Sequence, residues 1–239
     1  MRNANQPKKI SVLLLGPENT GKTALMRNLK GEEIQKEYVP TIGVDYRARE
    51  DNHHSVKVAF YDPSGSPRFG FIRKALMKEP KDCIIIVVNN LDAHESLHAI
   101  KQTLDEIDAT YQALHNHTES YTTPPIALII NHTIVSDESV EKLLYAGIVE
   151  HFSFRFEFID SFSVVDASYR EIVFRQITRM GGIYISNAVP AETGSDLTST
   201  VLSASTYISS FFWRPTTVAV PPKLIEEAKK EALQGDHTL

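Results

Sequence analysis

Gly16-Pro17-Glu18-Asn19-Thr20-Gly21-Lys22-Thr23 directly follows the apolar run Val12-Leu13-Leu14-Leu15 and opens a helical pattern over residues 22–29. The G-x-x-x-x-G-K-[ST] pattern therefore stands where a phosphate loop needs it, between a strand and a helix. Glycines let the backbone curl until its N–H groups face phosphate oxygens, and the helix N-terminus adds the positive end of its dipole. In this reading Gly16, Glu18, Asn19, Thr20 and Gly21 form the cradle and Ala24 lies in the first helical turn. Lys22 meets the β- and γ-phosphates, and the Thr23 hydroxyl ligates Mg²⁺. A chance glycine pair explains the spacing less well than phosphate binding does.

Outward from this loop, short β-rich runs alternate with helical patterns as far as about residue 181. Such alternation predicts βαβ units and a mostly parallel sheet flanked by helices, an α/β P-loop NTPase fold. The expected strands are 11–15, 45–50, 56–61, 83–88, 126–130 and 154–159, six in all, with helices near 22–29, 93–114, 136–146 and 168–179. Residues 45–50 and 56–61 are joined by Asp51-Asn52-His53-His54-Ser55, which predicts a hairpin. The polar stretch 115–125, ending Thr122-Thr123-Pro124-Pro125, reads as a surface loop.

Composition excludes little: 42% hydrophobic and 23% charged residues describe an ordinary globular chain of 239 residues. A formal charge of −5 gives no global reason to bind nucleic acid. One cysteine, Cys83, opens the run Cys83-Ile84-Ile85-Ile86-Val87-Val88 as a small core residue, so no intrachain disulfide forms and a reducing, cytoplasmic setting is expected. No apolar stretch reaches the roughly 20 residues needed to span a bilayer. His94 and His98 stand at helical i, i+4 spacing but lack the flanking Glu of a zinc helix, so a polar helix face is the better reading.

Two further segments complete a pattern with the phosphate loop: Pro40-Thr41-Ile42-Gly43-Val44-Asp45-Tyr46, and Asp62-Pro63-Ser64-Gly65-Ser66-Pro67-Arg68-Phe69. At this spacing the three resemble the Ras superfamily of small GTPases, and 40–46 is especially similar to the Rab branch. The resemblance runs from about residue 9 to 180 and implies a small G domain over 8–181 that holds GTP or GDP with Mg²⁺. It implies that Thr23, Thr41 and Asp62 serve the metal, that the Gly65 N–H touches the γ-phosphate, and that Tyr38 and Thr41 lie on a loop closing over the nucleotide. It also implies effector or regulator proteins that read both switch loops, with Ile42, Val44, Tyr46, Tyr61 and Phe69 as the apolar patch.

The departures cluster at the base and at hydrolysis. Ser66 stands where the family's water-orienting Gln is usual, and Glu18 stands where the family carries a small residue, so turnover should be slow. The base-reading Asn-Lys-x-Asp becomes Asn131-His132-Thr133-Ile134, leaving Asn131 and His132 at the base without the Asp; Asp137 is near enough to substitute only if the loop re-registers. For the later Ser-Ala-Lys motif the nearest candidate is Asp160-Ser161-Phe162, and Ile34 replaces a base-stacking aromatic ring. Asn89-Asn90-Leu91-Asp92 also fits Asn-x-x-Asp but follows Asp62 too closely to leave room for a helix.

Residues 182–239 form a C-terminal extension of linker, aromatic segment and terminal helix, with Tyr207-Ile208-Ser209-Ser210-Phe211-Phe212-Trp213-Arg214 as its apolar cluster. No cysteine stands near residue 239, so no prenyl anchor is expected; the cluster is expected to pack back on the domain, with peripheral membrane contact or docking on a partner as the alternatives. Two functional expectations follow. One is a monomeric Rab-like nucleotide switch in vesicle trafficking or signalling. The other is a pseudo-GTPase scaffold with altered nucleotide specificity, including a secreted bacterial effector that mimics a Rab in host cytoplasm.

Overall fold

The computed structural model describes residues 7–182, apart from 36, 53, 118–121 and 133–136. Its strands are β1 (Lys8–Leu15), β2 (Val44–Asp51), β3 (Val56–Pro63), β4 (Cys83–Asn89), β5 (Ile126–Asn131) and β6 (Phe158–Phe162). The helices are α1 (Lys22–Lys30), α2 (Gly70–Lys78), α3 (Ala93–His117), α4 (Glu138–His151) and α5 (Arg170–Met180). The strands form one six-stranded sheet in the order β2-β3-β1-β4-β5-β6. Every pairing is parallel except β2 with β3, the expected hairpin.

Parallel strands connected by helices must be covered on both faces, and the side-chain pattern follows from that. In β1, Ile10, Val12 and Leu14 pack with α1 and α5, against Met26, Val173 and Phe174. Leu13 and Leu15 face the other layer, with Met77 of α2, Ile100 and Leu104 of α3, and Leu144 of α4. Central β4 is buried on both sides, which is why residues 83–88 read as one continuous apolar run. Burial pushes the Cys83 thiol well above its usual range, as its apolar setting requires.

β1 lies between β3 and β4, so successive connections leave it in opposite directions. The crevice at the carboxyl end of such a strand is where open α/β sheets bind ligands. Gly16 begins there.

Several boundaries differ from the sequence reading. The last strand is Phe158–Phe162 rather than 154–159, because Ser153–Arg155 makes a 3-10 turn that leaves Phe154 82% exposed and pairs Arg155 with Asp108. Alternating Phe154, Phe156 and Phe158 imitated a strand, but pairing begins only where Phe158 meets Ala127. Helix α4 runs on to His151, and α3 to His117, each beyond its expected end. Helix α2 was not anticipated, since it starts at Gly70 without a side-chain cap. Ile34 is half-buried; Ile134, and the aromatic cluster and terminal helix expected within 183–239, lie outside the described residues.

Candidate functional site

The phosphate loop is shaped by two glycines with left-handed backbones. Gly16 has φ 128°, and a Cβ there would stand 2.2 Å from the Val87 carbonyl oxygen. Gly21, at φ 96°, caps α1, and its Cβ would stand 2.6 Å from Asn131 Nδ2. Any side chain would therefore push the loop off both β4 and β5. Between them Glu18 and Asn19 are exposed, Thr20 is buried, and Ala24 packs half-buried against the core behind the loop.

Lys22 is 6% exposed and curls back so that Nζ donates to the Pro17 carbonyl at 2.5 Å. Thr20 Oγ1 donates to the same oxygen at 3.1 Å. Burial lowers the Lys22 pKa to about 8, with the Asp62 charge opposing that shift and the Arg73 charge adding to it.

Three segments bring oxygen atoms together beside Lys22. Thr23 Oγ1, from α1, donates to Asp62 Oδ2 of β3 at 2.5 Å, and Thr41 Oγ1 lies 3.1 Å from Thr23 Oγ1. Asp62 is fully buried, and its other oxygen, Oδ1, has no hydrogen-bond partner. Burial raises the Asp62 pKa, while the Thr23 hydrogen bond and the Lys22 charge pull it back. An orphaned carboxylate oxygen beside two hydroxyls is a donor set that fits a small hard cation such as Mg²⁺.

The turn after β3 seats against the phosphate loop. A Cβ on Gly65 would be 2.4 Å from Pro17 C and 2.5 Å from Glu18 N, so only glycine allows this approach. Ser64 N donates to Gly43 O at 2.9 Å, linking the turn to the loop that carries Thr41. Ser66 is buried, its N–H donating to Ser64 Oγ at 3.3 Å. Tyr38 is more than half exposed, yet partial desolvation raises its pKa, the Glu18 charge adds to this, and a hydrogen bond with the Asn19 backbone opposes it.

At the far end, Asn131 Nδ2 donates to Thr20 O and its Oδ1 accepts from Val164 N, both at 3.1 Å. One amide thus ties the phosphate loop to the loop after β6. That contact relocates the Ser-Ala-Lys candidate: Asp160-Ser161-Phe162 lies within β6, with Asp160 bonded to Gln176, whereas Val164 is the residue that meets Asn131. His132 Nε2 bonds Ser161 Oγ and pairs with Glu141 at 2.9 Å, so its ring engages β6 and α4. Asp137 is no spare carboxylate. It caps α4, accepting from Ser139 N at 2.9 Å. The rival at 89–92 also resolves locally, since Asp92 Oδ1 accepts from Glu95 N at the start of α3. His98 bonds Gln102 on an exposed helix face.

A model of the Ras family matches residues 11–153, from the first strand through the fourth helix. This chain belongs to the Ras family. Similar curated relatives include "Ras-related protein RIC1" of Oryza sativa subsp. japonica, 32% identical over 99 residues, which is 41% of this chain and 48% of that protein. "Ras-related protein RABD2a" of Arabidopsis thaliana and "GTP-binding protein YPTM2" of Zea mays are each 31% identical over 99 residues, with the same coverage. The chain spans about half the length of the curated relatives it matches. Strand β6, which completes the sheet beside β5, and helix α5 both lie beyond the matched span.

Two residues that position this Ras-family site escaped the sequence reading. Asn28 is buried, donates to Val164 O and Asp166 O at 2.8 and 2.9 Å, and accepts from Arg170, holding the β6 loop against α1. Its signal was visible: an Asn on the apolar stripe of Leu25, Met26 and Leu29. Arg73 of α2 reaches the Ser64–Ser66 turn, and no spacing in the sequence marks it.

Proposed function

We propose that this Ras-family chain is a Rab-like switch that binds GTP or GDP with Mg²⁺ and hydrolyses GTP slowly. The observation that carries the reading is the convergence of Thr23, Thr41 and the orphaned Asp62 oxygen beside buried Lys22. Thr23, Thr41 and Asp62 would hold the metal, which when bound supplies charge neutralisation to the β- and γ-phosphate oxygens. Lys22 gives the phosphates a cation whose own burial makes pairing with an anion favourable. Gly65 offers a backbone N–H at the seam with Pro17 and Glu18. Ser66 is short and buried, so it cannot orient an attacking water as Gln does, and Glu18 places a carboxylate at the loop's exposed lip.

Partners would read the loops that order around Thr41 and Gly65. Ile42 is 80% exposed, Val44 and Tyr46 are exposed beside it, and Tyr61 and Phe69 are half-buried at the patch's inner edge. Vesicle trafficking or signalling in cytoplasm, by a monomer with a G domain over 8–181 and an extension over 182–239, is the setting this reading implies.

A second reading, a scaffold with altered nucleotide specificity, is favoured by the commitment of Asp137 to the α4 cap. With Ile134 in the Asp position, loss of a charge-assisted pair to guanine removes about 1.5–3 kcal/mol of selectivity. The deciding experiment identifies nucleotide co-purifying with the full chain and measures GTP, GDP and ATP binding by calorimetry with and without Mg²⁺, with Lys22→Ala as control. Mg²⁺-dependent GTP binding lost in the variant supports the switch. Absence of nucleotide and of any binding refutes it.

A further inference from the structure

Arg73 projects from α2 onto the turn that seats Gly65. Its Nη1 donates to Ser64 O at 3.1 Å and to Ser66 O at 2.9 Å, while Nε donates to both Glu106 oxygens of α3 at 3.2 and 3.3 Å. One guanidinium therefore cross-links α2, the turn and α3. The ion pair is shielded, with side chains 13% and 21% exposed, unlike the exposed pairs elsewhere on the surface. Gly70, one turn earlier, leaves the space: a Cβ there would lie 3.3 Å from Nη2.

We propose that Arg73 and Glu106 form a latch that seats the Ser64–Ser66 turn on the phosphate loop before a nucleotide arrives. Arg73 is then the positioning residue for the triphosphate end of the site, a role that rests on the nucleotide reading above.

Two features carry this. First, neither the 3-10 turn Pro67–Phe69 nor α2 has a side-chain cap, so Arg73 is the side chain that fastens the start of this segment to the turn. Second, the N–H groups on either side of Gly65 are held in the same pose: Ser64 N by Gly43 O, and Ser66 N by Ser64 Oγ. The latch thereby also steadies the loop bearing Thr41. A planar fork is needed to serve two carbonyls and a carboxylate at once, which a lysine ammonium on a flexible stem does not replace.

The test uses the full chain with Arg73→Ala, Arg73→Lys and Glu106→Gln. Hydrogen exchange over residues 63–72 is followed without nucleotide, and Kd values are measured with Mg²⁺ for GDP and for a non-hydrolysable GTP analogue. Arg73→Ala should speed exchange in that segment about tenfold while leaving β4 and β5 unchanged, and should lower the triphosphate-to-diphosphate affinity ratio about tenfold. Arg73→Lys and Glu106→Gln should fall between it and the wild type. Unchanged exchange, or equal loss of affinity for both nucleotides, overturns the latch. A wild-type chain that binds neither nucleotide refutes the functional reading instead, while the exchange comparison still decides whether Arg73 holds the turn.

Discussion

Replacing Lys22 with Met should make the ligand-free protein more stable while destroying phosphate binding. Lys22 is held inside the loop at a pKa lowered to about 8 from 10.5. Below pH 8 the folded chain therefore carries a buried charge that water would solvate better, and at 1.36 kcal/mol per unit this costs about 3 kcal/mol. The sign is that of a depressed base: the unfolded chain binds more protons between pH 8 and 10.5, so the penalty is complete below pH 8 and vanishes as pH rises through that window. Methionine has similar bulk and no charge, and Pro17 O keeps its bond from Thr20 Oγ1. That cost is already net of the attraction between Lys22 and the Asp62 carboxylate, and losing the Lys22 bond to Pro17 O returns part of the gain, which leaves about 1–3 kcal/mol at pH 7. Urea denaturation of the full chain without nucleotide, at pH 7, 9 and 10.5, measures it. A Lys22→Met protein less stable than wild type at pH 7, or a difference that does not shrink by pH 10.5, would refute the reasoning.

Asp62→Asn should remove the Mg²⁺ dependence of nucleotide affinity in calorimetry with little loss of fold, since the amide still accepts from Thr23. Asn28→Ala should cost about 2–3 kcal/mol in chemical denaturation, because it removes the side-chain donor to Val164 O and Asp166 O and the acceptor of Arg170 Nε. Arg155→Ala breaks a bidentate but solvent-exposed pair with Asp108 and should change stability by less than about 1 kcal/mol. If hydrolysis is limited by the missing Gln, Ser66→Gln with Glu18→Ser should raise single-turnover GTP hydrolysis, and an unchanged rate would show that the site is built differently.

Much of the site was legible because its chemistry is local. The loop from Gly16 to Thr23 needs its glycines where the backbone turns left-handed, and those positions show in the sequence whatever surrounds them. The apolar run of β4 likewise announced a strand covered on both faces. Helix α2 and the true bounds of β6 were not legible. The first has no cap residue to mark it, and the second is set by pairing with β5 rather than by alternation, which Phe154 and Phe156 carry equally well. Asp137 shows the same limit, since a carboxylate near the base in sequence is spent on a helix N-terminus in space.

Sequence order alone determined the strand–loop–helix turn at residues 16–23, the hairpin and the six-strand pattern, because each depends on residues close together along the chain. Tertiary structure decided what those residues face. It brought Thr23, Thr41 and Asp62 to one point, left one Asp62 oxygen unpaired, pressed Gly65 onto Pro17, and set Arg73 and Glu106 across the turn. Those relations join segments tens of residues apart, and only the packing of both helical layers on one sheet fixes them.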